Sequence, residues 1–351
     1  MLGTLSVQRN SYGASHSSKP QVTHRSAMTS TLIPKETSTP GGRDLRDARA
    51  DYFFKLLLTA AVAFVLIALV SAALSMLWGG RQALQLQGVS FFYSTEWNPV
   101  ENKYGALTPI YGTIVTALIA MLIAMPVSLG IAFFLTEVAP RWLRTPIGTA
   151  IELLAGIPSI IYGMWGLFVL VPVMTDYITP FLNDHIGTLP LIGTLFQGPP
   201  LGIGTLTAGF VLAIMVIPFI SSMMREVFLT VPTQLKESAY ALGSTKWEVS
   251  WNIVLPYTRS AVIGGMFLGL GRALGETMAV AFVIGNSVRL SPSLLTPGTT
   301  IAALIANDFG EATETYRSAL LLLGFVLFIV TFAVLVIARL MLLRLSRKEG
   351  N

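Results

Sequence analysis

The chain has 351 residues, of which 53% are hydrophobic and only 12% charged, with a formal net charge of +5 and a mean hydropathy of +0.67. That balance excludes an ordinary soluble globular domain and places the chain among integral membrane proteins. Cysteine is absent, which excludes disulfides, thiol catalysis and cysteine-held metal. His16, His24 and His185 are too scattered for a zinc site. No Gly-Lys pair occurs, so a GxxxxGK[ST] phosphate loop is excluded and any ATP must be handled by a partner.

Residues 1–50 are rich in Ser and Thr, lack an apolar run and carry more basic than acidic residues. They read as a disordered cytoplasmic extension, with Met28 as an alternative start. No cleavable signal fits, because the first apolar run begins beyond residue 50 and is long enough to span. Residues 51–109 supply a first transmembrane helix, Leu56 to Trp78, and an outer loop. Phe91, Phe92, Tyr93 and Trp97 in that loop read as an aromatic belt at the headgroup level, with contact to a partner protein as the other reading.

Residues 110–343 form the expected membrane core. Further apolar runs occur at Ile110 to Leu135, Ile151 to Met174, Ile203 to Met224, Ala261 to Val288 and Ser318 to Leu343. Each is long enough for a hydrocarbon core of roughly 30 Å. Runs of this length with internal Gly and Pro predict an all-α polytopic membrane protein with six transmembrane helices, not a barrel. Residues 344–351 make a short tail. With the N-terminus inside, every Lys and Arg falls on the cytoplasmic side except Arg81, Lys103, Arg289, Arg317 and the intramembrane Arg272. Both termini are therefore expected in the cytoplasm. The positive charge reflects topology and anionic lipid; no basic patch interleaved with exposed aromatics suggests nucleic acid. The Pro- and Gly-rich segment from Asp176 to Leu201, free of Lys and Arg, reads as an outer loop suited to docking a solute receptor.

In the third span, Gly156, Pro158 and Gly163 cluster near the start, where helix continuity should bend or fail. Broken helices at membrane depth line cavities, which makes Ser159 and Tyr162 candidates for a substrate path. A packing kink is the alternative.

The fifth span holds Gly271-Arg272-Ala273-Leu274-Gly275-Glu276-Thr277, with two charges near its middle. Each costs about 2.5 to 3.5 kcal/mol in lipid on insertion scales, so both should face protein or water. Four residues apart on a helix, Arg272 and Glu276 would share one face. One reading is a self-neutralising ion pair. The other is an anion site, since a guanidinium forks onto two oxygens and stays charged without water.

Between the fourth and fifth spans lies a polar stretch, 225–260, in which Glu237, Ala239, Gly243, Ile253, Leu255 and Pro256 are spaced as in the EAA loop of ABC-importer permeases, which it resembles. Ser238 departs, where that family usually has Ala. Pro232 fits a helix start and Gly243 a helix end, so one short helix is predicted over Val231 to Leu242 and a second over Lys246 to Val254. Such an elbow would seat in a groove on an ATPase, with Glu237 and Ala239 near the contact. An amphipathic interfacial helix, supported by Trp247 and Trp251, is the alternative.

The resemblance widens to nearly the whole chain after residue 50. Ser94-x-Glu96-Trp97-Asn98-Pro99, Pro109-Ile110-Tyr111-Gly112-Thr113, Ile151 to Ser159 and Gly271 to Thr277 are similar to the PstC-type permeases of bacterial phosphate importers. The resemblance implies a type I ABC importer (MetI-like) permease fold in the inner membrane. It also implies a heterodimer with a PstA-type permease, a pair of PstB-type ATPases that carry ATP and Mg, a periplasmic phosphate-binding protein, and inorganic phosphate as substrate. No cofactor is expected in this chain. Arg272 and Glu276 match charged positions implicated in transport in that family. The competing readings are a sulfate or molybdate permease, the sister PstA-type subunit, an anion channel, and a membrane-embedded phosphohydrolase. The last lacks a nucleophile, a metal set or a second nearby carboxylate.

Overall fold

The computed structural model describes residues 42–190 and 192–349. Contacts divide the chain after Ala63. The first unit is helical from Gly42, so α1 (Gly42–Gly79) begins inside the segment expected to be disordered up to residue 50. Residues 1–41 of that segment lie outside the described residues.

The second unit begins at Phe64. It continues through α2 (Arg81–Gln87) and a two-stranded hairpin of β1 (Trp97–Asn98) and β2 (Lys103–Tyr104). There follow α3 (Leu107–Val138), α4 (Arg141–Ala155), α5 (Ser159–Ile186) and α6 (Thr205–Leu229). Then come α7 (Thr233–Ala241), α8 (Lys246–Leu274), α9 (Met278–Ile284), α10 (Ile301–Asp308) and α11 (Glu314–Glu349). Six of these helices, α1, α3, α5, α6, α8 and α11, are long and apolar enough to cross a bilayer. The all-α, six-span class read from hydropathy therefore holds.

Two spans are displaced from their expected limits. Gly156 closes α4 and Pro158 precedes the next helix, so the third span starts at Ser159 instead of Ile151. It then runs on to Ile186, and the expected outer loop is helical up to there. A π turn precedes each of Pro172 and Pro180, at Gly166–Leu170 and Met174–Ile178. The wider turn accommodates a ring that would clash with the carbonyl four residues back. The fifth span begins at Lys246 and ends at Leu274, not Ala261 to Val288. A π turn at Ser250–Val254 joins the second elbow helix to the span, and Pro256 follows that wider turn, as Pro172 and Pro180 follow theirs.

α6 is the most buried of the spans, with 67% of its apolar window inside the protein. It lies along α3, where Phe133 and Phe228 stack at 4.6 Å and the Ser128 hydroxyl donates to the Ile217 carbonyl at 3.1 Å. Hydroxyls shared between helices supply glue where apolar burial alone drives nothing. α8 meets α6 through Gly269: a Cβ there would fall 2.5 Å from Ile220. Gly271 faces Leu335 of α11 instead. The small residues of α8 therefore serve two neighbours.

A second core lies at the hairpin. Trp97 pairs across from Tyr104, Tyr104 stacks on Tyr316 at 5.5 Å, and the Trp97 indole N–H donates to the Tyr316 hydroxyl at 3.4 Å. That hydroxyl in turn donates to Asp308. Phe91 is fully buried, whereas Phe92 and Tyr93 are exposed. The aromatic string expected as a headgroup belt is thus split, with Phe91 and Trp97 packed into protein.

Candidate functional site

The charged segment of the fifth span lies where the helix stops. Arg272 occupies the last turn of α8, Gly275 caps it, and α9 restarts at Met278. Glu276 therefore stands in a gap between two helices and does not share a helical face with Arg272. Its Oε1 accepts the Ala279 N–H at 3.2 Å. No ion pair joins Arg272 to Glu276 among the described residues. Two weak helix formers, Gly271 and Gly275, loosen the turn, and a carboxylate capping the next helix start is favoured by both hydrogen bonding and the helix dipole.

Arg272 is left with an unusual surrounding. Its Nε is buried without a hydrogen-bond partner among the described residues. Its guanidinium carbon stands 5.3 Å from the centre of the Phe219 ring, and Tyr162 lies close enough to sense its charge. A guanidinium cannot shed its proton in a protein. Leaving one of its buried donors unsatisfied costs about 1–3 kcal/mol, which the ring face offsets only in part. An acceptor brought to this position would satisfy that donor.

The break in the third span is formed by Gly156, Ile157 and Pro158, between α4 and α5. Ser159 is the half-buried first residue of α5. The Tyr162 hydroxyl donates to the Leu154 carbonyl at 2.9 Å, bridging the two helices across the break. Gly163, expected to belong to the break, instead lies inside α5. It is buried against α9: a Cβ there would meet the Ala279 Cα at 3.0 Å and the Met278 carbonyl at 3.1 Å. Its role is close approach, and that approach sets the broken start of α5 beside the gap that holds Glu276.

The elbow has two short helices at right register for a turn. Pro232 precedes α7 and Gly243 follows it at φ +91°, a conformation that favours glycine. The second helix starts with a capping box, in which the Thr245 hydroxyl accepts the Glu248 N–H at 3.3 Å and the Glu248 carboxylate accepts the Thr245 N–H at 2.7 Å. Glu237 and Pro256 are exposed, and Ile253 and Leu255 are half-buried. Ala239, expected at a contact with an ATPase, is 8% exposed and packs into the chain's own core. α7 is anchored this way round because Lys236 forms an ion pair with Glu137 at 2.6 Å. Burial, followed by the Glu137 carboxylate, pushes the neighbouring Tyr240 phenol above its ordinary pKa, against the opposing influence of Arg144. Glu152 on α4 pairs with Arg225 at 2.9 Å.

Two contributors escaped sequence reasoning. Phe219 is an apolar residue in an apolar span, without a local signal. Glu137 and Lys236 are 99 positions apart, although a lone carboxylate at the end of an apolar span was a visible signal that it needed a cation.

Known proteins bear on this arrangement. Residues 124–348 match the family described as binding-protein-dependent transport system inner membrane component. The chain is 98% identical, over 324 residues covering 92% of it and the whole of the relative, to the phosphate transport system permease protein PstC of Xylella fastidiosa (strain 9a5c). It is 56% identical to the PstC protein of Pasteurella multocida (strain Pm70), over 82% of this chain and 90% of that one. Among solved structures, a chain of a bacterial alginate ABC transporter superposes with a TM-score of 0.56 at 16% identity, covering 87% of this chain and 98% of that one, a likeness of fold alone. On these matches and the six-span fold, the chain is a membrane-embedded permease subunit rather than an enzyme, and it belongs to the family of binding-protein-dependent transport system inner membrane components.

Proposed function

We propose that this chain carries inorganic phosphate across the bacterial inner membrane as one of two permeases in an ATP-driven importer. The single observation behind the site is the buried Arg272 Nε without an acceptor. A tetrahedral oxyanion supplies the missing acceptors in a bidentate, charge-assisted contact. Because Arg272 has no carboxylate partner among the described residues, its charge is available to the anion without first breaking an ion pair. Phosphate is favoured over sulfate by the names of the relatives and by Glu276, whose carboxylate accepts a hydrogen bond from a protonated oxyanion such as hydrogen phosphate.

The elbow is the element suited to coupling. In this reading the exposed Glu237 and the Gly243 turn seat on a cytoplasmic ATPase, and ATP-driven closure displaces α7. The Lys236–Glu137 pair passes that displacement to α3, which is packed along α6. Rocking against a PstA-type partner then exposes the Arg272 site to each side in turn. A periplasmic phosphate-binding protein delivers the anion. The Lys and Arg distribution supports a cytoplasmic location for both termini and the elbow.

The test is uptake into proteoliposomes holding this chain with its partner permease, ATPase and binding protein. Labelled phosphate should enter only with ATP, and excess sulfate should leave the rate unchanged. Sulfate competition would move the substrate to another oxyanion, and uptake without ATP would overturn the importer reading.

A further inference from the structure

Beside the elbow, α3 and the start of α8 enclose a groove of about 540 Å³. α3 lines it with Pro126, Leu129, Phe133 and Phe134, and α8 lines it with Trp247 and Trp251. Gly130 opens directly into it, with no atom within 4 Å of where a Cβ would stand. Along α3, the exposed positions Pro126, Gly130, Phe134 and Val138 recur every fourth residue and form one continuous stripe. Both walls carry a π turn, at Phe134–Val138 and Ser250–Val254. Such turns widen a helix locally and are frequent at functional sites.

The mouth of the groove is polar and cationic. Lys246 is exposed, and no carboxylate lies within ion-pairing distance of its ammonium among the described residues. The nearest acid in sequence, Glu248, is committed to the Thr245 cap, and Glu137 at the end of α3 is committed to Lys236. Trp247 and Trp251 stack at 5.7 Å, and their indole N–H groups donate no hydrogen bond among the described residues. Three side chains that carry hydrogen-bond donors thus line an apolar slot that lies on two membrane-crossing helices. An unpaired cation with interfacial tryptophans above an apolar channel is complementary to one kind of molecule: a phosphodiester headgroup with an acyl chain below it.

We infer that this groove is a binding site for an anionic phospholipid, whose headgroup is held by Lys246 and the Trp247–Trp251 pair and whose acyl chain lies along Gly130 between Phe133 and Phe134. The lipid fills the space between the elbow and α3, so it braces the same two elements that Lys236 and Glu137 join.

The experiment uses the complete importer in nanodiscs of mixed phosphatidylglycerol and phosphatidylcholine, with a photoactivatable diazirine on the acyl chain of a trace of either lipid and peptide mapping by mass spectrometry. Labelled phosphatidylglycerol should concentrate on residues 126–138 and 246–251, and unlabelled phosphatidylglycerol should compete where phosphatidylcholine does not. Lys246→Gln should lower that labelling about fivefold, the effect of one cation at an anionic surface, and Gly130→Leu should displace the chain while leaving other labelled positions unchanged. The inference is overturned by labelling spread evenly over the lipid-facing helices, by equal labelling from both lipids, or by a groove that stays unlabelled because a partner subunit covers it. None of these readouts depends on the transported substrate.

Discussion

The Lys236 ammonium stands 2.6 Å from the Glu137 carboxylate, with side chains only 15% and 5% exposed, and this contact fastens the elbow helix α7 to the end of α3. Removing one partner strands a buried charge, so Lys236→Met or Glu137→Gln alone should destabilise by about 3–5 kcal/mol. Replacing both by apolar residues of similar volume should recover most of that loss. A double-mutant cycle on the thermal unfolding of the purified complex measures the coupling; additive single and double effects would show that the two charges act independently.

Gly163 is the point at which α5 touches α9. Gly163→Val should cost about 1–3 kcal/mol through overpacking against the Ala279 backbone. The equivalent change at Gly264, where nothing stands within 4 Å, should leave unfolding unchanged. Equal losses at the two positions would contradict the close approach of α5 and α9.

The sequence made these two glycines look alike, and that shows where legibility ended. Hydropathy was sufficient for six spans and the Gly156–Pro158 pair for a break, because both depend on local composition, but the third span was expected from Ile151 and the break moves its start to Ser159. The stop of α8 at Leu274 was not legible. The run from Ala261 to Val288 carries only two charges, Arg272 and Glu276, at a spacing that suits a continuous helix, and the Glu276 contact with the Ala279 N–H that accompanies the gap belongs to the fold. That is why Arg272 and Glu276 looked like neighbours on one face. The Arg272 seat on Phe219 and the Lys236–Glu137 link join residues far apart in sequence, so no local pattern could carry them.

Glu276 caps α9 by accepting a backbone hydrogen bond, a task that an amide oxygen also performs, with the helix dipole adding only a few tenths of a kcal/mol for the charge, about 0.3. Glu276→Gln should therefore unfold close to the wild type, and Glu276→Ala should lose about 1 kcal/mol, the usual worth of a helix cap. Differential scanning fluorimetry of the two variants decides this. A Gln variant as unstable as the Ala variant would mean that the negative charge itself is needed for stability.

Gly243 turns the elbow at φ +91° with open space around it, so a substitution there is penalised only by its backbone conformation. Gly243→Ala should cost about 1–2 kcal/mol, and Gly243→Asn less, since Asn tolerates the left-handed region better. Hydrogen exchange over residues 233–249 would register the difference as faster opening of α7 in the Ala variant. Unchanged exchange would show that this turn does not hold the elbow's shape.

The central claim is that Arg272 meets the transported anion directly. ATP-dependent uptake of labelled phosphate by the reconstituted importer should be abolished in Arg272→Ala and lowered at least tenfold in Arg272→Lys, which keeps the charge but loses the fork, while assembly with the partner subunits persists. Wild-type uptake in Arg272→Ala would contradict the account and reduce the buried guanidinium to a feature of helix packing.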